Sequence, residues 1–242
     1  MTRLTAPLDA FVVGQFDLGD ADRVWRLLDA GEGRVSVVAR AARKSRRRFV
    51  GIELGTRVRI VRGRGGSLPS VVSAERLGGP VRARTSVERI ALLGYGCELC
   101  AALAPEGGAA EKLFLLLESW LALLEGEGTP GVASRMALEA KALTFAGLAP
   151  TLATCAVCGA AIADPAVWDA ETGGALHARC GGGRPIAATD VLLLEELRHT
   201  RLADTVGRDV PSSVPPWLLS DFVQHQIARA LQSRALLESV GG

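Results

Sequence analysis

The sequence predicts an α+β protein in which a β module precedes a helical module that carries an inserted cysteine segment. Three observations predict this fold class. Five short segments before residue 78 are rich in β-branched or alternating residues and are separated by turn residues. Beyond residue 80 the apolar residues recur at helical spacing. Paired cysteines then lie between the third and fourth predicted helices. Five short strands in succession favour a small barrel or sandwich.

The strands are predicted where Val, Ile and Phe cluster or alternate with polar residues. Over residues 56–63, Val58 and Ile60 alternate with arginines, as in a half-buried strand. Residues 22–29 are ambiguous, because their apolar residues also fit helical spacing. The other predicted strands cover residues 9–16, 34–40 and 68–77.

The helices are predicted from apolar periodicity and from residues that begin and end helices. Thr85, followed three residues later by Glu88, forms a capping box at the start of a helix that ends near Leu103. Thr189 is expected to cap the fourth helix, and Pro215 suits the first turn of one long final helix. The predicted helices cover residues 85–103, 111–127, 131–148, 188–202 and 215–240.

The composition is that of a folded chain. The 242 residues are 48% hydrophobic and only 5% aromatic, so the core is expected to be largely aliphatic. No apolar run is long enough for a membrane span, and no secretory signal is visible. We therefore expect a cytoplasmic protein whose five cysteines are thiols or metal ligands rather than disulfides.

Charge is distributed unevenly along the chain. Residues 1–84 contain 17 Lys and Arg against 8 Asp and Glu, a net charge of +9. Residues 85–242 contain 11 against 18, a net charge of −7, and the two halves together give the overall +2. Such a split predicts different partners for the two ends, with a polyanion such as nucleic acid at the basic end.

The cysteine segment has the spacing C-x2-C-x18-H-x2-C, formed by Cys155, Cys158, His177 and Cys180. Paired ligands two residues apart allow one tight turn to supply two ligands of a tetrahedral zinc ion. Four protein ligands leave no position for a substrate, so the site is predicted to be a structural zinc ribbon or knuckle and not a hydrolase centre. The alternative is two pairs of buried thiols and a surface histidine.

A second C-x2-C pair, Cys97 and Cys100, lies within the first predicted helix. Residues three apart share a helix face, and small thiols suit a core. Core packing is therefore the favoured interpretation. A redox pair or a second metal site is the alternative.

The basic residues are concentrated in one loop and one strand. Arginine suits phosphate because its planar guanidinium binds two oxygens at once. A solvated loop is the alternative for a single basic run, but the charge of the whole module favours nucleic acid. The predicted DNA-binding residues are Arg34, Arg40, Arg43, Lys44, Arg46, Arg47, Arg48, Arg57 and Arg59.

Few aromatic residues are available for base stacking in the basic module. They are Phe11, Phe16, Trp25 and Phe49, and some of these must belong to the core. Binding is therefore expected to depend mainly on phosphate contacts, to tolerate any sequence and to weaken with salt.

Motifs typical of enzymes are missing from the sequence. It contains neither G-x-x-x-x-G-K-[ST] nor G-x-S-x-G, and no clustered carboxylates that would hold a catalytic metal. His199 and His225 lie in helical patterns and are interpreted as packing or surface residues. We expect no enzyme activity and no catalytic residue.

Taken together, these segments resemble the RecO family of bacterial DNA repair proteins over nearly the whole chain. The resemblance is carried by FDLGDADRVWRLLDAGEGRVSVVARAARKSRRRF, by RVRIVRGRGGSLPSVVSAERL, by the cysteine segment and by LQSRALLESV. It implies an N-terminal OB-fold, a strand at 22–29, a helical domain and a zinc ribbon. His177 replaces one of the four cysteines that are usual in zinc-bearing relatives.

The resemblance also implies an activity and partners. It implies binding of single- and double-stranded DNA, annealing of complementary strands, and loading of RecA with RecR, often RecF, and single-strand-binding protein. We therefore expect a recombination mediator of the RecF pathway that works without ATP and associates with the nucleoid. The expected domains are an OB-fold over 1–79, a helical domain over 80–150 and 185–242, and the zinc ribbon over 151–184.

Two rival functions remain open. A zinc-ribbon adaptor would dock a protein complex and bind DNA only incidentally. A nuclease would need clustered carboxylates or an open metal site, neither of which the sequence shows, and Mg²⁺-dependent strand cleavage would be the observation in its favour.

Overall fold

A computed structural model describes residues 5–45, 48–63 and 68–241. The chain forms two compact units. One comprises Met1–Glu125 together with Leu231–Gly242, and the other comprises Gly126–Ala230. None of the helices in the described part of the chain is long and apolar enough to cross a bilayer.

The N-terminal sheet is antiparallel and has the strand order β3-β2-β1-β4-β5. All five predicted strands are confirmed, and residues 22–29 form a strand as the family resemblance implies. Val38 on β3 forms an isolated bridge with Ser70, the residue before β5, so the two outer strands approach each other. The Val38 N–H also donates to the Pro69 carbonyl at 2.9 Å. The sheet is OB-like, but among the described residues no continuous ladder closes it into a barrel. The strands are β1 (Leu8–Leu18), β2 (Asp22–Asp29), β3 (Gly33–Ala39), β4 (Arg57–Arg62) and β5 (Val71–Gly78).

The sheet encloses an apolar core on its inner face. Trp25 meets Phe49 edge-on there, with ring centroids 5.0 Å apart. The central strand β1 is also buried on its other face, where the Phe11 ring lies 4.9 Å from that of Phe114. A small module gains two hydrophobic layers in this way, which stabilises it more than one layer would.

The described part of the chain contains six α-helices after the sheet. The predicted positions of the first four are confirmed to within a few residues at their ends. A 3-10 turn, Arg82–Arg84, precedes the first helix. The helices are α1 (Val87–Leu103), α2 (Glu111–Glu125), α3 (Val132–Phe145), α4 (Ala188–His199), α5 (Leu218–Ile227) and α6 (Gln232–Gly241).

The two predicted helix caps are wrong. The N-cap of α1 is Ser86, whose backbone is extended and whose hydroxyl accepts from the Arg89 N–H at 3.3 Å, whereas Thr85 ends the preceding 3-10 turn with a helical backbone. Thr189 lies inside α4, after the N-cap Ala187.

A distant carboxylate replaces the predicted cap of α4. Asp164 accepts from the Ala188 N–H at 2.9 Å and so binds one of the free donors at the start of this helix.

The prediction of one long final helix is also wrong. The helix ends at Ala228, which adopts the left-handed conformation at φ 51° and donates its N–H to the carbonyls at the end of α5. α6 begins afresh after the break and packs on α1. Its first amides, those of Gln232 and Ser233, donate to the carboxylate of Glu98 on α1.

The cysteine segment forms a small sheet in the second unit, with the order β7-β6-β8. Its strand β6 carries Trp168, whose ring meets that of Phe222 on α5 at 5.6 Å between centroids. The cysteine segment and α5 are therefore packed together within this unit. The strands are β6 (Ala166–Asp169), β7 (Gly174–His177) and β8 (Arg184–Ile186).

Candidate metal centre and nucleic-acid interface

Two turns present the four predicted metal ligands. The first runs from Thr154 to Ala161, which form an isolated bridge, and it carries Cys155 and Cys158. The turn tightens at Gly159, whose φ of +71° favours glycine and whose N–H donates to the Cys155 carbonyl at 2.9 Å.

The second turn follows β7. His177 is the last residue of that strand, and the Cys180 N–H donates to its carbonyl at 2.8 Å. Because β7 pairs with β6, this turn is fixed to the small sheet. The following Gly181 provides space, since a Cβ there would lie 2.6 Å from the Leu176 side chain.

The four ligand atoms converge on one point. One ligand atom each from Cys155, Cys158, His177 and Cys180 lies within 4.8 Å of all the others. The Nδ1 of His177 is 3.5 Å from the Cys158 sulfur and 3.9 Å from the Cys180 sulfur. Zn–S bonds of about 2.3 Å and Zn–N bonds of about 2.0–2.1 Å would place such atoms roughly 3.6 Å apart around a tetrahedron. The cluster therefore fits a small tetrahedral ion.

The orientation of the His177 ring supports the same conclusion. Its Nε2 lies 3.0 Å from the Ala161 carbonyl, which can only accept, so Nε2 carries the proton. The lone pair is then on Nδ1, which faces the thiols. A ligating histidine usually donates its other ring N–H in this way.

The thiols differ in their readiness to ionise. Burial raises the pKa of Cys155, but the backbone N–H groups of Cys158, His177 and Val157 together outweigh that effect and lower it. Burial and the neighbouring thiols raise the pKa of Cys180. The cluster thus already stabilises one thiolate, and a bound cation would favour ionisation of the others. These four residues could hold a metal ion.

The predicted cations of the β3–β4 loop lie near the hairpin that joins β1 and β2. Arg43 lies 3.1 Å from the Asp17 carboxylate and donates to the Gly19 carbonyl at 2.7 Å. Arg40 is exposed and donates to the Ser70 hydroxyl at 3.1 Å. Lys44 is exposed and pairs with none of the residues that the structure describes. Arg46 and Arg47 lie outside the described residues.

Arg48 points back toward the sheet. Its guanidinium donates to the carbonyls of Val71 and Val72 on β5 at 3.2 and 2.8 Å, and it lies over the Phe49 ring. It joins this loop to an outer strand.

The remaining predicted cations are paired within their own unit. Arg34 binds Glu106 at 2.8 Å and the Ala101 carbonyl at 3.2 Å. Arg57 binds Glu118 on α2 at 2.6 Å.

Arg59 lies on the exposed side of β4 and forms a two-point pair with Asp9, at 2.9 and 3.1 Å. The structure therefore brings Arg40, Arg43 and Lys44 together near the hairpin, but it places Arg34, Arg57 and Arg59 elsewhere.

Arg23 and Arg26, which are outside the predicted set, also lie near the hairpin. The Arg26 guanidinium is 5.3 Å from the centroid of the Phe16 ring. The sequence places Phe16 in one predicted strand and Arg26 in the next, but only the strand register shows that the two side chains meet.

Comparison with known proteins agrees with this architecture. A family model described as the N-terminal part of Recombination protein O matches residues 1–79, and one described as its C-terminal part matches residues 84–235. The DNA repair protein RecO of Anaeromyxobacter dehalogenans strain 2CP-1 is 37% identical over 250 residues, which cover 98% of this chain and 97% of the relative. The proteins of the same name from Myxococcus xanthus and Geobacter sulfurreducens are 34% and 32% identical, each across 96% of this chain.

Proposed function

This chain belongs to the RecO family of DNA repair proteins, and from that premise we propose that it is a recombination mediator. It binds single- and double-stranded DNA, anneals complementary strands without ATP, and helps to load RecA onto strands coated with single-strand-binding protein. Its protein partners in this proposal are RecR, RecF and single-strand-binding protein. The observation that carries the proposal is that the two family models together match almost the whole chain.

The basic loop supports this function. Arg40, Arg43 and Lys44 contribute positive charge beside the β1–β2 hairpin, and Arg46 and Arg47 belong to the same loop in sequence. We propose that these five cations contact phosphates. Arg34, Arg57 and Arg59 lie away from this loop in ion pairs with carboxylates, and Arg48 points back toward β5, so in this proposal they contribute less.

Annealing then requires no bond chemistry. Two complementary strands repel each other through their phosphates, and a basic surface that binds both lowers this repulsion. Base pairing supplies the remaining free energy. No nucleotide hydrolysis is needed, in keeping with the missing phosphate-binding loop motif.

We propose that the metal is one Zn²⁺ held by Cys155, Cys158, His177 and Cys180. When bound, it would supply a cross-link between the two turns of the ribbon, and four protein ligands give it a structural role. Beside the ligands, Cys155 packs on Val167 and Leu176. A metal would add its binding free energy to the folding of this small cluster.

Metal analysis tests the zinc assignment. The purified chain should contain about one zinc, and His177→Ala should reduce the zinc content sharply. A chain with well under one zinc that stays folded after chelation would overturn it.

The central experiment is annealing of complementary strands coated with the cognate single-strand-binding protein, without ATP, at two salt concentrations and with or without RecR. We expect annealing that weakens with salt. The triple variant Lys44→Ala, Arg46→Ala and Arg47→Ala should bind all sequences more weakly and lower the salt slope by about 0.7 for each lost single-strand contact.

The control is Arg229→Ala, which removes an exposed arginine from the other unit. An unchanged slope in the triple variant would refute the role of this loop. Folded, zinc-loaded protein that does not anneal would refute the mediator function, and a protein-docking adaptor would then be the better explanation.

A further inference from the structure

Phe16 is the accessible aromatic side chain of the basic module. The module has four aromatic residues, and the structure describes all of them. Phe11, Trp25 and Phe49 are 5%, 1% and 8% exposed, so their rings belong to the core. Phe16 is 45% exposed near the end of β1. Its ring face is therefore accessible to a base, whereas the three buried rings are not.

The strand register places a cation beside this ring. Phe16 pairs with Val24, and Gly14 pairs with Arg26, so Phe16 and Arg26 are diagonal neighbours on one face of the β1–β2 pair. The guanidinium reaches over the ring to 5.3 Å from its centroid. Leu18, two residues further along β1, is also exposed and extends the apolar surface.

The Arg26 guanidinium also differs from the nearby arginines, which form ion pairs with a carboxylate. Arg23 and Arg43 both pair with Asp17. Arg26 forms no ion pair with any residue of the described ranges, and the Phe16 ring is the partner that it has there. Its charge is therefore available to an anion from outside.

We propose that Phe16 stacks on an unpaired base of a single strand while Arg26 contacts the adjacent phosphate. This inference rests on the proposed DNA-binding function and adds a means of distinguishing strands. The faces of bases in a duplex are covered by neighbouring pairs, whereas a single strand can present them to an aromatic ring. Phe16 thus favours single strands, while the basic loop binds both forms.

The test compares three probes of equal length: a single-stranded oligonucleotide, the same strand with abasic sites throughout, and the duplex. The abasic strand keeps the phosphates but has no base to stack. Phe16→Ala should weaken binding to the normal strand about 5- to 160-fold, the range that loss of one stacking contact gives. Binding to the abasic strand and to the duplex should stay within about twofold, since phosphate contacts are retained.

Two further variants separate the roles of ring and charge. Phe16→Trp should preserve the preference for the normal strand, because indole also stacks. Arg26→Ala should lower the salt slope for both single strands by about 0.7, whereas Phe16→Ala should not. Val50→Ala, which trims another exposed apolar side chain of the same unit, is the matched control.

The outcomes distinguish this inference from the proposed function. A wild-type protein that binds no probe refutes the proposed function. If the wild-type protein binds DNA but Phe16→Ala loses no affinity, or loses the same affinity for normal and abasic strands, only the stacking role is overturned. In a third outcome, Phe16→Ala leaves the affinity for single strands unchanged but abolishes annealing only when RecR is present. Phe16 would then contact a protein rather than a base, which also overturns the stacking role.

Discussion

Glu98 should determine whether the C-terminal helix stays attached to α1. Its carboxylate accepts three hydrogen bonds from the start of α6: from the Gln232 N–H at 3.0 Å, the Ser233 N–H at 2.8 Å and the Ser233 hydroxyl at 2.6 Å. It acts as an N-cap from a different helix and places negative charge at a helix N-terminus. Glu98→Ala removes the acceptor and leaves two backbone donors to water.

The size of the effect follows from these contacts. Loss of an N-cap costs about 0.5–2 kcal/mol, and the charge at the helix end adds about 0.3–1 kcal/mol. Gln232 is exposed and Ser233 is half-buried, so water replaces part of the loss. A net cost near 2 kcal/mol is expected for keeping α6 folded on α1, which corresponds to roughly a 30-fold change in the opening equilibrium.

Hydrogen exchange of the α6 amides measures this opening directly. The amides of α6 in Glu98→Ala should exchange about 30-fold faster than in the wild type, while those of β1 should change little. Glu98→Gln, which retains one oxygen acceptor, should have an intermediate effect. Glu171→Ala, at an exposed turn of the other unit, is the control. Unchanged exchange in α6 would refute the capping argument.

Two further predictions concern stability and thiol chemistry. Ala228→Gly should raise the unfolding temperature by a few degrees, because glycine adopts the left-handed φ of 51° without the Cβ clash; a lower temperature would show that the break is stabilised otherwise. Cys97 and Cys100 should resist alkylation at pH 8 until the chain unfolds, as mass spectrometry can test. Burial raises the pKa of Cys97 to about 12 and also raises the pKa of Cys100, so at pH 8 both remain unreactive thiols in the folded protein. Rapid labelling of the folded protein would contradict their assignment to the core.

Features that depend on local periodicity were predictable from the sequence. The alternation around Val58 and Ile60 is a property of one strand, and the spacing of Cys155, Cys158, His177 and Cys180 is a property of two turns. Each of these two features is determined by residues close together in the sequence.

Features that depend on distant partners were not predictable in this way. Thr85 matched the capping box, but it ends the 3-10 turn Arg82–Arg84 and its backbone is helical rather than extended. Asp164 caps α4 from 24 residues upstream, and Glu98 caps α6 from more than 100 residues upstream. The composition of the module predicted that some of its four aromatic residues are buried. Only the folded structure identified Phe16 as the exposed one and placed it beside Arg26.

The division of the first unit along the chain has a consequence for biosynthesis. The chain leaves this unit at Glu125 and returns at Leu231. At about 5–20 residues per second, a ribosome needs roughly 5–20 s for the intervening segment, and during that time α1 lacks the contacts that α6 makes with it in the folded unit. Until α6 has been synthesised, the Glu98 carboxylate on α1 lacks the three hydrogen bonds that α6 donates to it. A chain truncated before Leu231 would keep the sheet and its first two helices but would never gain these bonds.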